Sequence, residues 1–498
     1  MKKTQSAAIF ILSFILFVET GFAQNLTKQS YEKAREVLDR SVTAYGGLEN
    51  LRAIENFSLR ADGLEFHRNQ SRRPEAAEPT PRRYEVTIDL KNNRYRLFVE
   101  RGGIGTDAVP SYDVFDGKER ISANLLNKTK NVRPVQNNWR RQYTALFLPQ
   151  FSLLNALERA ANLRYLGSAD YNARPHHVVS FEAPDAARVS LYIDAETGLV
   201  AKQESLVHDP LVGDALSETV FSAHRQFGKF KVPTEAAGKI ADVTTYKLTY
   251  SDISFDRNLP DSEFRLEFDL KAPLPEAPSG SPVQKLGENI YTVSASGYRV
   301  LFAEFKDHIF VMEAPVGEAA AREALARIRE TIPGKPVRYI AVTHHHADHA
   351  GGVRTFIAEG ATLVTTRGNR GYFEQMANRR FTLAPDALSL NPQPLKIEFL
   401  ETEKRVFSDG TTTLEIYNTG ANPHADDMLV AYLPKEKILY EADIFDSLSD
   451  NRRPATVHLL KWLETKRLAV DKIVPVHGTP AALSDVIAVA AEREKKRK

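Results

Sequence analysis

The stretch Val337-Arg338-Tyr339-Ile340-Ala341-Val342-Thr343-His344-His345-His346-Ala347-Asp348-His349-Ala350-Gly351-Gly352 decides how the chain is read. Its opening, Val337 to Thr343, is short, apolar and β-branched, so it reads as a buried strand whose C-terminal end runs into a turn. His344, His346, Asp348 and His349 then fall within six residues. Imidazole nitrogens and carboxylate oxygens are the donors a borderline cation such as Zn²⁺ prefers, and a tight turn after a strand aims alternate side chains into one pocket. Gly351-Gly352 lets the backbone pass close to its neighbours before a helix begins near Val353.

A second set of candidate ligands follows downstream, each after an apolar strand pattern. Leu414 to Tyr417 runs into Asn418-Thr419-Gly420-Ala421-Asn422-Pro423-His424, Ile438 to Tyr440 into Glu441-Ala442-Asp443, and Ile473 to Val476 into His477 before Gly478. Neighbouring strand ends converge in space however far apart they lie in sequence, so one pocket can collect all of these residues.

The ordered set His-x-His-x-Asp-His, then His, Asp and His, resembles the site of the metallo-β-lactamase superfamily over about Lys285 to Ala482. The resemblance implies an αβ/βα sandwich with a two-metal site between sheet edges. It assigns His344, His346 and His424 to one metal and Asp348, His349 and His477 to the other, with Asp443 bridging both. Two Zn²⁺ ions per chain are the implied cofactors, and iron or manganese would suit the same donors. The implied reaction is hydrolysis of an ester, lactone, thioester or amide by a metal-bridging hydroxide, with Asp348 orienting that nucleophile or receiving its proton.

Zinc β-lactamases place a cysteine or serine near Asp443, whereas thioesterases, lactonases and phosphodiesterases of the superfamily carry the bridging aspartate. The related flavin-partnered oxygen reductases favour a glutamate where His346 stands. Two alternatives are a zinc β-lactamase and a lipid- or lipoprotein-binding protein whose metal domain is only structural. Two positions depart from the family pattern. Pro423 stands where a glycine usually precedes the third histidine, and Glu313-Ala314-Pro315 stands where an aspartate and glycine are common. His345 reads as facing outward, and Asp426 and Asp427 as candidates for orienting a ligand histidine.

Upstream, Ala34, Val37, Leu38, Val42 and Tyr45 recur at helical spacing and stop at Gly46-Gly47. Tyr84 to Leu90, Asn92-Asn93 and Tyr95 to Val99 alternate about a turn, as a β-hairpin does. A helical interval is expected over Gln142 to Ala161, and strands at His177 to Ser180, Val189 to Ile193 and Thr244 to Phe255. No catalytic constellation is visible there. His67, His176, His177, His208 and His224 are scattered.

Ala44-Tyr45-Gly46-Gly47, Ile193-Asp194-Ala195-Glu196-Thr197-Gly198, Val232-Pro233-Thr234 and Leu259-Pro260-Asp261-Ser262-Glu263-Phe264 resemble periplasmic lipoprotein-carrier and sorting domains. That resemblance implies a curved, antiparallel β half-barrel around a helix, with an apolar concavity. The fold class expected is thus α+β and multidomain, a half-barrel followed by the αβ/βα sandwich.

With 498 residues the chain exceeds one ordinary core. Four prolines between Lys271 and Pro282 mark a stiff boundary. The expected organisation is a signal peptide over 1–23, a β-rich domain over 24–270, a linker over 271–283 and a metal-binding domain over 284–498. Met1-Lys2-Lys3, the apolar run Ala7 to Val18 and Gly21-Phe22-Ala23 have the order of a secretory signal, which predicts export to the periplasm or beyond.

The net charge of +2 gives no basic field for nucleic acid. No later run has the ~20 apolar residues of a spanning helix, so the mature chain is expected without one. With no cysteine present, thiolate ligands and cysteine nucleophiles are excluded. The expected partner is a small-molecule substrate, lipophilic if the first region is what it resembles; the oligomeric state is open.

Overall fold

The computed structural model describes residues 25–104, 106–158, 162–183, 188–272, 283–448 and 455–497. The expected signal segment and residues 273–282 of the expected linker lie outside that range. No helix among the described residues is long and apolar enough to cross a membrane.

The N-terminal part is built on one 13-stranded sheet. From one edge it runs Thr129–Arg133, Arg120–Asn124, Thr106–Phe115, Arg94–Gly103, Pro79–Asp89, Asn56–Phe66 and Val243–Phe255. It continues through Glu235–Ile240, Gly213–Ser222, Val200–Asp209, Arg188–Asp194 and Arg174–Glu182 to the other edge at Arg164–Tyr171. The expected hairpin is present, with Ile88 opposite Tyr95 and Asp89 opposite Arg94. Among the described residues the two edge strands do not pair with each other, so the sheet is open.

Helix Leu26–Ala44 starts where the Asn25 side chain accepts from Lys28 N at 3.2 Å, and it buries Ala34, Val37, Leu38 and Val42. The helical interval expected over Gln142 to Ala161 is two helices, Trp139–Phe147 and Pro149–Glu158. The ring of Pro149 disfavours helical backbone at Leu148, which is extended at φ −130° and ψ 101°. One apolar core unites these helices with the sheet through Leu38, Phe57, Ile88, Tyr95, Phe147 and Leu191.

The C-terminal part stacks two sheets. The seven-stranded one runs Val283–Gly287, Ile290–Ala295, Tyr298–Glu304, Ile309–Met312, Val337–Ala341, Thr362–Thr365 and Lys396–Phe399. The six-stranded one runs Lys404–Ser408, Thr413–Asn418, Leu429–Leu433, Ile438–Glu441, Lys472–Pro475 and Ala481–Ala482. Between them lies a core that includes Leu301, Phe310, Val364, Ile416, Leu429 and Tyr440.

Each sheet is also covered on its outer side, which is why central strands such as Ile309–Met312 and Leu429–Leu433 are apolar throughout. Helices Glu318–Thr331, Val353–Ala358 and Arg370–Asn378 pack on the first sheet, and Ala455–Lys466 and Leu483–Arg497 on the second. The section Arg367 to Asn391, irregular in sequence, carries Arg370–Asn378 and a short turn of helix, Ala387–Leu390. Buried Arg354 fastens it, donating to both carboxylate oxygens of Asp386 at 2.5 and 2.9 Å and to the Met376 carbonyl at 2.8 Å.

The two parts are packed together. Leu211, at the tip of the hairpin between Val200–Asp209 and Gly213–Ser222, is buried in the helical layer of the C-terminal part. Burying a leucine is worth roughly 1.5–3 kcal/mol of transfer free energy. Asp214 N donates to the Arg380 carbonyl at 2.9 Å, and the Asp214 carboxylate accepts from Thr382 N and Leu383 N, each at 3.0 Å.

Gly213 makes this approach possible. Its φ is +78°, and a Cβ there would stand 1.9 Å from the Arg380 carbonyl oxygen. Gly213→Ala is therefore expected to destabilise the folded protein by about 1–3 kcal/mol, visible as a lower denaturant midpoint. An unchanged midpoint would show that this contact between the two parts does not contribute to stability.

Candidate metal centre

The strand Val337–Ala341 ends beneath the cluster, as its composition predicts, and His344, His346 and His349 are each 1% exposed or less. Two groups of side chains form. His344, His346, His424 and Asp443 each offer one donor atom, all within 4.8 Å of one another, and so do Asp348, His349, Asp443 and His477. All seven residues singled out in the sequence are thus brought together, and Asp443 belongs to both groups.

Asp443 is the centre of this geometry. Its Oδ2 lies 3.0 Å from His349 Nε2, 3.1 Å from His424 Nε2 and 3.5 Å from His344 Nε2, and its Oδ1 lies 3.5 Å from His477 Nε2. The turn that presents it is unusual, since Asp443 has a φ of +59°. Glu441 holds that turn, its Oε2 accepting from Ile444 N at 3.1 Å and Phe445 N at 3.2 Å. Burial and the nearby Asp446 push the Glu441 carboxyl well above the ordinary range.

Some of the histidine rings are oriented by a group behind them. Glu313 is fully buried, and its Oε2 accepts from His349 Nδ1 at 2.6 Å while its Oε1 accepts from Thr343 N at 2.7 Å. Glu313 thus supports the loop that carries the histidines, from a left-handed backbone at φ +92°. His344 Nδ1 is hydrogen-bonded to Thr343 Oγ1 at 3.0 Å. Asn422 Oδ1 accepts from His424 N at 2.8 Å and Ala425 N at 3.1 Å, so the loop containing Pro423 is closed by its own side chain.

His345, expected to face outward, is instead 1% exposed, its ring against His346 at 4.8 Å and Tyr372 at 5.7 Å between centroids. Helix Arg370–Asn378 covers it, which periodicity at a turn cannot reveal. Asp426 and Asp427 do not orient a ligand histidine. Arg73 lies 3.7 Å from Asp426, and Asp427 accepts from Asn418 at 3.2 Å.

Sequence reading missed what the N-terminal part brings here. Gln70 Nε2 donates to Asp348 Oδ1 at 2.8 Å, and His346 Nε2 donates to the Ser71 carbonyl at 2.8 Å. Nothing in Asn69-Gln70-Ser71 distinguishes it from any polar turn, so no local signal could have found it.

The donor set suits cations. Donors about 2.0–2.2 Å from a tetrahedral cation stand roughly 3.3–3.6 Å apart. Neighbouring donor atoms here are separated by 3.0 to 3.7 Å, with His344 Nε2 and His424 Nε2 at 3.1 Å and His349 Nε2 and His477 Nε2 at 3.1 Å. His346 Nδ1 is buried and has no hydrogen-bond partner.

Burial and the neighbouring imidazoles push His344 and His346 well below the ordinary histidine range, which keeps them in the neutral, ligating form. At His349 burial acts in the same direction, but Asp348, Glu313 and Asp443 override it and raise the group well above that range. A proton on His349 and a cation before its Nε2 would answer the same carboxylates.

The sequence model described as the metallo-β-lactamase superfamily matches residues 316–477. Among solved structures, the chain is similar to the DIM-1 metallo-β-lactamase exposed to ceftazidime, at 20% identity, covering 43% of this chain and 96% of that one with a TM-score of 0.32. A metallo-β-lactamase from Pontibacter korlensis is 21% identical over 42% of this chain and 96% of that one, with a TM-score of 0.32. Rubredoxin:oxygen oxidoreductase from the anaerobe Desulfovibrio gigas is 16% identical over 42% of this chain and 60% of that one, with a TM-score of 0.34.

Proposed function

We propose, from the premise that residues 316–477 belong to the metallo-β-lactamase superfamily and make the protein a metal-dependent enzyme, that it is an exported di-zinc hydrolase of an ester, lactone, thioester or amide. The observation that carries this reading is the single carboxylate of Asp443 facing four imidazoles of two ligand groups. His344, His346 and His424 would hold one cation and Asp348, His349 and His477 the other, with Asp443 shared between them. Bound there, the cations would supply Lewis acidity toward the scissile carbonyl and would bring the pKa of a water down to ~7.

The chain's own residues do the rest. Asp348 is the partly exposed acid of the set, with 31% of its side chain accessible. Its carboxylate can align the attacking water and accept its proton within the pocket. Tyr298 packs edge-on against His477 at 4.5 Å between centroids and walls that side of the site. Burial and the carboxylates Asp348, Asp443 and Glu313 push its hydroxyl up to about 12, so it stays a neutral donor at physiological pH.

A cavity of about 410 Å³ lies between the two parts of the chain, lined by Leu211, Val212, Ala76, Ala77, Tyr372 and Met376 among others. Tyr372 separates it from His345. Its lining is mixed, with Arg68, Asn69, Glu75, Gln375 and Arg379 beside the apolar side chains, so it suits the non-reacting portion of an amphipathic substrate. The open N-terminal sheet, read as a carrier-like half-barrel, and the leader at 1–23 fit a protein that meets such substrates outside the cytoplasm.

The test is turnover by the zinc-loaded protein on a panel of lactone, thioester, phosphodiester, aryl ester and cephalosporin, with His346→Ala as control. Turnover of a carboxylic ester, lactone, thioester or amide is expected, falling by more than ~100-fold in the control, beyond the loss typical of an outer-sphere partner. A phosphodiester as the only substrate, or equal turnover in the control, would sink the reading.

A further inference from the structure

We propose that the loop between strands Asn56–Phe66 and Pro79–Asp89 is a working part of the metal centre, and that the affinity for metal is set jointly by both parts of the chain. Four consecutive residues of this loop bond to ligand-bearing segments. Asn69 O accepts from Ala347 N at 3.1 Å, Gln70 Nε2 donates to Asp348 Oδ1 at 2.8 Å, Ser71 O accepts from His346 Nε2 at 2.8 Å, and Arg72 O accepts from Asp426 N at 2.9 Å.

Two of these contacts act on donor atoms. A neutral imidazole carries one N–H, so a proton held on His346 Nε2 by the Ser71 carbonyl leaves the lone pair on Nδ1, the buried atom without a partner. Gln70 occupies Asp348 Oδ1, and Oδ2 is left facing His349 Nε2 at 3.6 Å and His477 Nε2 at 3.7 Å. Each contact prepares one of the two ligand groups. Gln70 serves the group of Asp348, and Ser71 serves the group of His346.

The loop is held in this shape by its own contacts. Ser71 is fully buried, and its Oγ donates to the His67 carbonyl at 2.6 Å and accepts from Glu78 N at 2.8 Å. Asn69 adopts φ +58°, Arg68 pairs with Asp209 at 2.6 Å, and Arg72 N donates to Glu78 Oε2 at 2.7 Å. Partners one shell out from a metal typically change its affinity 10–100-fold by fixing tautomer and orientation. In this protein two such partners come from outside the metal-binding fold.

This inference rests on the reading of His346 and Asp348 as ligands, and the experiment separates the two. Zinc affinity and stoichiometry of the full-length protein are measured by competition with a chelator for wild type, His346→Ala, Gln70→Leu and Ser71→Ala, with the melting temperature of each metal-free form. Wild type is expected to hold two zinc ions. Gln70→Leu should release one of them at about 10-fold lower chelator, roughly the lower end of the outer-sphere range, with its metal-free melting temperature unchanged. Ser71→Ala keeps the carbonyl but removes the Oγ bonds to the His67 carbonyl and Glu78 N that hold it in place, so it should weaken the other ion by a smaller factor, with a lower metal-free melting temperature as the sign of a loosened loop.

Wild-type zinc affinity in both Gln70→Leu and Ser71→Ala, with zinc lost in His346→Ala, would overturn the role of the loop and leave the ligand reading standing. Zinc bound equally by wild type and His346→Ala would overturn the ligand reading and the inference together.

Discussion

Asp443→Ala is expected to bind at most one metal after dialysis and to lose turnover by more than ~1,000-fold, well beyond the 10–100-fold of an outer-sphere change. The reason lies in its position. One carboxylate faces His344, His349, His424 and His477 at 3.0 to 3.5 Å, so its removal takes a donor from both groups at once. Two divalent cations held ~3.5–4 Å apart repel by on the order of 20 kcal/mol even at an effective dielectric of ~20, and a shared anion is what offsets this. Elemental analysis of the dialysed protein checks the first part and turnover the second. Two retained metals with near-normal turnover would show that Asp443 does not bridge.

Glu313→Ala should be the most damaging change away from the donor atoms themselves. Glu313 is 0% exposed and serves two hydrogen bonds, to His349 Nδ1 at 2.6 Å and Thr343 N at 2.7 Å. Without it the Thr343 N–H is buried and unsatisfied, at about 1–3 kcal/mol. His349 also loses what fixes its ring and tautomer, which predicts a 10–100-fold loss of metal affinity. Glu313→Gln keeps the acceptor for one partner and should fall between. Chelator titration and denaturant melts separate the two effects, and a variant that melts like wild type while holding zinc normally would refute both.

Glu313 reaches both of its partners from an unusual backbone conformation, with a φ of +92°. Strain at such a position is retained only where surrounding contacts over-determine it, and here both carboxylate oxygens are engaged.

The convergence of the histidines and aspartates was legible in the sequence because its signal is local. Strand, turn and ligand spacing occur together in Val337 to Gly352, and His424, Asp443 and His477 each follow an apolar strand. Chemistry of this kind needs particular residue types, and those types are written in the chain. The two sheets with helices outside were legible for a related reason, since strands buried on both faces must be apolar throughout. The hairpin at Asp89 and Arg94 was announced by its turn residues.

Other features depend on partners far away along the chain. Gln70 meets Asp348 across 278 residues, and Ser71 meets His346 across 275. A carbonyl oxygen is the same in every residue, so Ser71's role leaves no mark in composition or periodicity. The burial of His345 is settled by helix Arg370–Asn378 closing over it, and the cavity beside Tyr372 by the docking of Leu211 and Gly213. By itself the sequence determined the donor atoms and the strands that carry them, because side-chain chemistry and hydrophobic period are local properties. Tertiary structure alone decided which lone pairs turn toward one another and what closes the pocket, because hydrogen bonding to a backbone group and the packing of one sheet's turns against another's helices exist only once distant segments meet.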